Sequence, residues 1–219
     1  MRFGFARLVA AALCVVTISG PAAFGQVVPK PRPDIARSPV KADHGTVYLL
    51  RGLADVFSLG MNTLAGRLRA KGVDAVATNQ SYDARVAEQI AKAYERDPAE
   101  ALPIVIIGHS LGANKVLTIS AKLAKKNIPV RLVVLFDATA KIPVPKNVAE
   151  VLNLHKPGQF GVSVAGAPGY AGTIVNRDVS DLKGIGHVNI DKSKTLHADV
   201  INKVMQVLAE KPDAKKKKK

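Results

Sequence analysis

The sequence predicts an α/β domain: a mostly parallel sheet of about six strands with helices on both faces. Three observations predict it. Strand-like and helix-like segments alternate from Thr46 to Leu208. The central strand-like segments, IVII at 104–107 and VVLF at 133–136, are apolar throughout, as strands covered on both faces require. A chain of 219 residues with 47% hydrophobic content is long enough to bury one substantial core.

The amino-terminal residues stand outside that domain. MRFGFAR is a basic start, LVAAALCVVTIS is an apolar run of leader length, and Ala23-Phe24-Gly25 supplies a small-x-small cleavage pattern. Residues 1–25 therefore read as a signal peptide cut before Gln26, with a retained anchor helix as the other reading. Cleavage removes Cys14, the one cysteine, so disulfides, thiolate metal sites and a cysteine nucleophile drop out. Residues 26–44 contain VVPKPRPDIARSP and read as a proline-rich linker.

The domain spans 45–210. TVYLL at 46–50 is the first strand. LGMNTLAGRLRAK at 59–71 has helical spacing, with Ser58 as a plausible N-cap and Gly72 as its stop. VDAVAT at 73–78 is the second strand, and YDARVAEQIAKAYER at 82–96 the second helix, stopped at Asp97-Pro98. Residues 104–107, 111–126 and 130–136 are expected as strand, helix and strand. The pattern then loosens: 150–154 and 173–175 read as short strands, and HADVINKVMQVL at 197–208 as a last amphipathic helix. In such sheets ligands bind beyond the carboxyl ends of the strands, which directs attention to the residues after Leu50, Ile107 and Phe136.

Charge bounds the partners. Lys and Arg number 32 against 17 Asp and Glu, for a net +15. Residues 211–219 end in Lys215–Lys219 and read as a disordered tail able to meet an anionic envelope surface. Nucleic acid is not an expected partner: the chain reads as exported, has no Trp and is 5% aromatic. No Gly-x-Gly-x-x-Gly, P-loop or ligand-spaced His and carboxylate cluster is present, so neither a cofactor nor a metal is expected. Asp191 reads as a negative charge for the amino end of the last helix.

Gly108-His109-Ser110-Leu111-Gly112 falls at a strand's carboxyl end with a helix after it. That context suits a serine held out on a sharp turn, the flanking glycines leaving room for neighbouring backbone. The competing reading is a plain turn with Ser110 as helix N-cap. His109, inside the turn, is expected to pack or hydrogen-bond beneath it.

GHSLGAN is similar to the nucleophile segment of lipases, and RGLADVFSLGM at 51–61 resembles the segment that supplies an oxyanion donor. Over residues 45–208 the chain resembles serine α/β-hydrolases of the esterase, lipase and thioesterase kind. The resemblance implies a minimal hydrolase fold without a cap domain and a chain order of serine, acid, histidine. It implies His187, in the Gly184-Ile185-Gly186 loop before the last helix, as base, ahead of His197 and His155. His44 precedes the serine and falls outside that order. Asp137, directly after VVLF, is the implied acid, because the next strand ends in Leu154-His155-Lys156 without a carboxylate; Asp178 and Asp181 are the fallbacks. The implied oxyanion donors are the backbone N–H groups of Leu111 and of Leu53 or Ala54. Arg51 stands where many relatives have histidine.

The reading that results is an exported, periplasmic or secreted, serine hydrolase cleaving an ester or thioester through an acyl-enzyme on Ser110. The alternatives are a non-catalytic envelope-binding protein on a hydrolase scaffold and an acyltransferase.

Overall fold

The computed structural model describes residues 46–53 and 58–210. The expected signal peptide, linker and lysine tail, and Ala54, lie outside the described residues. Along the chain run β1 (Thr46–Arg51), α1 (Gly60–Arg69), β2 (Asp74–Asn79), α2 (Asp83–Arg96), α3 (Pro98–Ala101), β3 (Val105–His109), α4 (Leu111–Ala124), β4 (Val130–Phe136), β5 (Val148–His155), β6 (Thr173–Asp178) and α5 (Lys194–Ala209).

The six strands form one parallel sheet in the order β2-β1-β3-β4-β5-β6. Strand alternation divides its side chains between two cores. Val47, Leu49, Val105, Ile107, Val134 and Phe136 pack with α1 and α5. Leu50, Ile106, Val133 and Leu135 pack with α2 and α4. Helices thus cover both faces, and no cap domain is evident among the described residues. From β1 the chain steps outward to β2, then returns across the sheet to β3. That reversal puts a topological switch between β1 and β3, with Arg51-Gly52 and His109-Ser110 at its carboxyl side.

Several elements differ from their sequence-predicted bounds, for identifiable reasons. β3 runs on to His109 because Gly108 and His109 pair with Leu135 and Phe136; backbone pairing continues after the apolar run stops. β5 and β6 are longer than the short apolar stretches suggested. Asn153, buried within β5, donates from Nδ2 to Val162 O and to Asn176 Oδ1, so the sheet continues through a polar pair. Asp97 ends α2 and also starts α3, its Oδ1 accepting from the N–H groups of Ala99 and Glu100.

Two capping expectations are corrected. Ser58 does not cap α1: Leu59 holds the N-cap position in helical geometry, and the Ser58 hydroxyl turns inward to Gly52 N–H and His109. The α1 amino end is instead served by Asp191, whose Oδ2 accepts from Gly60 N–H at 3.0 Å. A Cβ on residue 60 would lie 1.8 Å from Asp191 O, so glycine is what lets the two segments meet. Asp191 therefore does not serve α5, which starts at Lys194 with Ser193 Oγ accepting from Leu196 N–H. Burial pushes the Asp191 carboxyl up to about 6.

Candidate active site

The site begins with a backbone that ordinary residues avoid. Ser110 sits at φ 57°, ψ −123°, between the last residue of β3 and the first of α4. Its N–H donates to Phe136 O at 2.9 Å, and its own carbonyl accepts from Asn114 N–H at 3.2 Å. Both flanking glycines are sterically required. A Cβ on residue 108 would lie 2.5 Å from the Gly112 carbonyl, and one on residue 112 would lie 2.4 Å from Leu50 O. The strand, the turn and the helix are packed backbone against backbone there. Ser110 does not act as a side-chain cap for α4.

Its hydroxyl points instead across the carboxyl ends of the sheet. Ser110 Oγ lies 2.9 Å from His187 Nε2. His187 Nδ1 lies 2.6 Å from Asp137 Oδ2. Asp137 has no exposed surface, and it too has a positive φ, 54°. Its N–H donates to Leu154 O at 2.8 Å, and its Oδ1 accepts from Lys156 N–H at 2.9 Å. A Cβ on residue 161 would lie 1.9 Å from that same Oδ1, so Gly161 is what admits the carboxylate. Asn114 on α4 pins the following turn: its Oδ1 accepts from Thr139 and Ala140 N–H, and its Nδ2 donates to Thr139 Oγ1.

Positive φ at a non-glycine residue costs of order 1–3 kcal/mol. A third such residue, Asn127, follows α4 at φ 56°, where asparagine commonly ends a helix. Ser110 and Asp137 stand instead directly after strands of the sheet. Both are held by hydrogen bonds to the neighbouring strand, and both face His187.

The other sequence-predicted candidates lie elsewhere. Asp178 turns its Oδ1 to Ser180 N–H at 2.8 Å, on the exposed edge strand, and Asp181 is exposed. His155 is buried at the end of β5 with Nε2 3.5 Å from Ser163 Oγ. His197 is fully buried on α5. Its Nε2–H donates to Asp191 O at 2.6 Å and its Nδ1 accepts from Arg67 at 3.1 Å, and burial lowers its pKa. His109 is buried beneath the turn, as its place in the sequence suggests.

Leu53 and Leu111 flank the turn. Leu111 is the first residue of α4, where N–H groups have no acceptor within the helix and the dipole is positive. The β1 loop passes close over the serine: a Cβ on residue 52 would lie 3.1 Å from Ser110 Cβ. Arg51 is buried and donates to Asn62 Oδ1 at 2.9 Å.

Sequence reasoning missed the wall beside His187, which comes from the loop after β5. The Phe160 ring lies 4.8 Å from the His187 ring, centroid to centroid. Gln159 Oε1 accepts from His187 N–H at 3.3 Å, and Lys156 Nζ donates to Ile185 O at 2.6 Å. In KPGQFGVS only Gly161 answers to a close approach, and nothing there points to the histidine.

No protein-family model matches the sequence. No curated protein matches it either. Among solved structures it is similar to Est1E from Butyrivibrio proteoclasticus, at 12% identity over 78% of this chain and 90% of that one, with a TM-score of 0.51. It is also similar to the esterase domain of a Rhodothermus marinus protein, at 16% identity over 78% of this chain and 90% of that one, with a TM-score of 0.50. At such identities the likeness concerns the fold, which is that of the α/β-hydrolases.

Proposed function

We propose that this chain is an exported serine hydrolase that cleaves an ester or thioester through an acyl-enzyme on Ser110. One observation carries the reading: the unbroken hydrogen-bonded series Ser110 Oγ, His187, Asp137. A buried carboxylate behind a histidine, with a hydroxyl in front of it, is the arrangement that makes serine nucleophilic.

In the first half-reaction Ser110 Oγ bonds to the acyl carbon as its proton passes to His187 Nε2. Asp137 stabilises the imidazolium through Nδ1–H. The tetrahedral oxyanion is met by the N–H groups of Leu111 and Leu53 at the positive end of α4. Its collapse breaks the bond to the leaving alcohol or thiol, which takes the proton from Nε2. Water then attacks the acyl-enzyme, giving a proton to the same nitrogen, and the acid departs as Ser110 recovers its hydrogen.

The surroundings suit an apolar acyl group. Leu53, Phe160 and Val188 are 63%, 63% and 56% exposed; the Phe160 ring lies against His187, Val188 follows His187, and Leu53 follows Gly52, which lies over Ser110. An exposed apolar rim at a polar centre is a reason to expect binding there. The leader at 1–25 would deliver the 45–210 domain to the periplasm or exterior. Lys215–Lys219 would then hold it near an anionic envelope surface.

The test is turnover of p-nitrophenyl butyrate by the Ser110→Ala variant. The expected loss is about 10⁴-fold or more. A variant that keeps its activity overturns the mechanism.

A further inference from the structure

Between Gly108 and Ser110 the chain buries a histidine that the proposed chemistry does not use. His109 is 1% exposed, and both of its ring nitrogens are engaged. Nε2 lies 2.8 Å from the backbone carbonyl oxygen of His187. A carbonyl only accepts, so Nε2 carries the proton. Nδ1 of the neutral ring must then accept, and Ser58 Oγ stands 2.7 Å away to donate. With its O–H directed at His109, Ser58 Oγ accepts from Gly52 N–H at 2.9 Å. Every donor in the series has one acceptor, and the direction is fixed throughout: Gly52 N–H to Ser58, Ser58 O–H to His109, His109 Nε2–H to His187.

The ends of the series matter. Gly52 lies in the loop after β1, over Ser110 and beside Leu53. His187 carries the ring that faces Ser110. Asp137 fixes that ring at Nδ1, and Gln159 meets its backbone N–H. His109 meets its carbonyl from the opposite side, beneath the turn.

We propose that His109 is a positioning residue that locks the His187 loop to the loop after β1, so that base and oxyanion donor keep a fixed spacing across Ser110. This rests on the Ser110–His187 reading above. The charged and titratable groups that face it are His187, Asp137 and Lys192. The His187 and His109 rings are 5.2 Å apart, so a second cation there would oppose the imidazolium formed during turnover. Burial lowers the His109 pKa to about 4, which leaves the ring neutral at working pH.

Substitutions separate the two ends of the ring. In His109→Gln the amide nitrogen falls near the Nε2 position and keeps the link to His187. In His109→Asn the amide oxygen falls near Nδ1 and keeps only the link to Ser58. With p-nitrophenyl butyrate, His109→Asn is expected to lose about 10- to 100-fold in kcat with KM little changed, and His109→Gln to recover most of it. Ser58→Ala breaks the series from its far end and leaves the ring in place. A double-mutant cycle of Ser58→Ala with His109→Asn is expected to be non-additive in kcat. Additive losses, or equal losses in Asn and Gln variants that track their melting temperatures, would reduce His109 to core packing. Long-range ¹⁵N–¹H correlation spectroscopy of the wild-type protein reads the tautomer whether or not the ester is turned over. A neutral ring protonated at Nε2 is expected at neutral pH; a charged ring or an Nδ1–H tautomer overturns the proposal and leaves the hydrolase reading standing.

Discussion

The two halves of the site are built differently. Ser110 and Asp137 project from β3 and β4 at the centre of the sheet, where neighbouring strands hold each backbone in a conformation of positive φ. His187 comes from the far side of β5 and β6, on a loop that hydrogen bonds and ring contacts hold in place. Neighbouring strands thus hold Ser110 and Asp137 rigidly in place. His187 sits on a less enclosed segment and is located by the side chains of Asp137, Gln159, Phe160 and His109. The difference teaches that geometry at the centre is set by backbone packing, and at the periphery by individual contacts.

Breaking the central half should have the larger effects. Asp137→Asn leaves the fold in place and deprives His187 of its acceptor, so turnover should fall about 10³- to 10⁴-fold. Asp178→Asn, on the exposed edge, should leave turnover within about twofold of wild type. Equal losses in the two would move the acid away from Asp137. Gly112→Ala places a Cβ against the Leu50 carbonyl. It should destabilise by about 1–3 kcal/mol in urea unfolding, whereas Gly184→Ala, with open space around it, should reveal only the cost of its φ of 74°.

The peripheral half should yield smaller and more selective changes. Phe160→Ala removes the ring beside His187. A series of p-nitrophenyl esters should show KM rising about fivefold or more for octanoate and little for acetate, as loss of an apolar contact predicts. Uniform loss across the series would make Phe160 a support for the histidine alone.

Stability also depends on pH through two buried groups, His109 and Asp191. His109 titrates near 4 in the folded chain against a usual 6.5. Between those values the unfolded chain binds more protons, so His109 takes stability away as pH falls from 6.5 toward 4. Asp191 is raised from 3.8 to about 6, and it takes stability away as pH rises through that window. The melting temperature of His109→Gln relative to wild type should therefore climb as pH is lowered. That of Asp191→Asn should climb as pH is raised.

The same division governed what the sequence disclosed. IVII and VVLF announced a parallel sheet because strands buried on both faces need continuous apolar runs, and the structure has β3 and β4 there. β5 and β6 were only partly legible: Asn153 satisfies Asn176 across the ladder, a pairing that no hydrophobic pattern displays. Ser110 is marked in the sequence by its flanking glycines, and Asp137 and His187 by family resemblance and chain order. A serine before a helix looks alike in sequence whether its hydroxyl turns to the helix or, as at Ser58, inward. In sequence Asp191 points to the nearer helix, because its contact with Gly60 joins segments far apart along the chain. Gln159 and Phe160 gave no signal; their role depends on where the loop after β5 folds.

The central claim is that Ser110 is a nucleophile activated by His187. The most direct measurement is fluorophosphonate labelling of the full chain followed by peptide mass spectrometry. The account predicts a single adduct, on Ser110, formed quickly in wild type and slowly in His187→Ala. No adduct on Ser110, or one formed equally fast without His187, would contradict it.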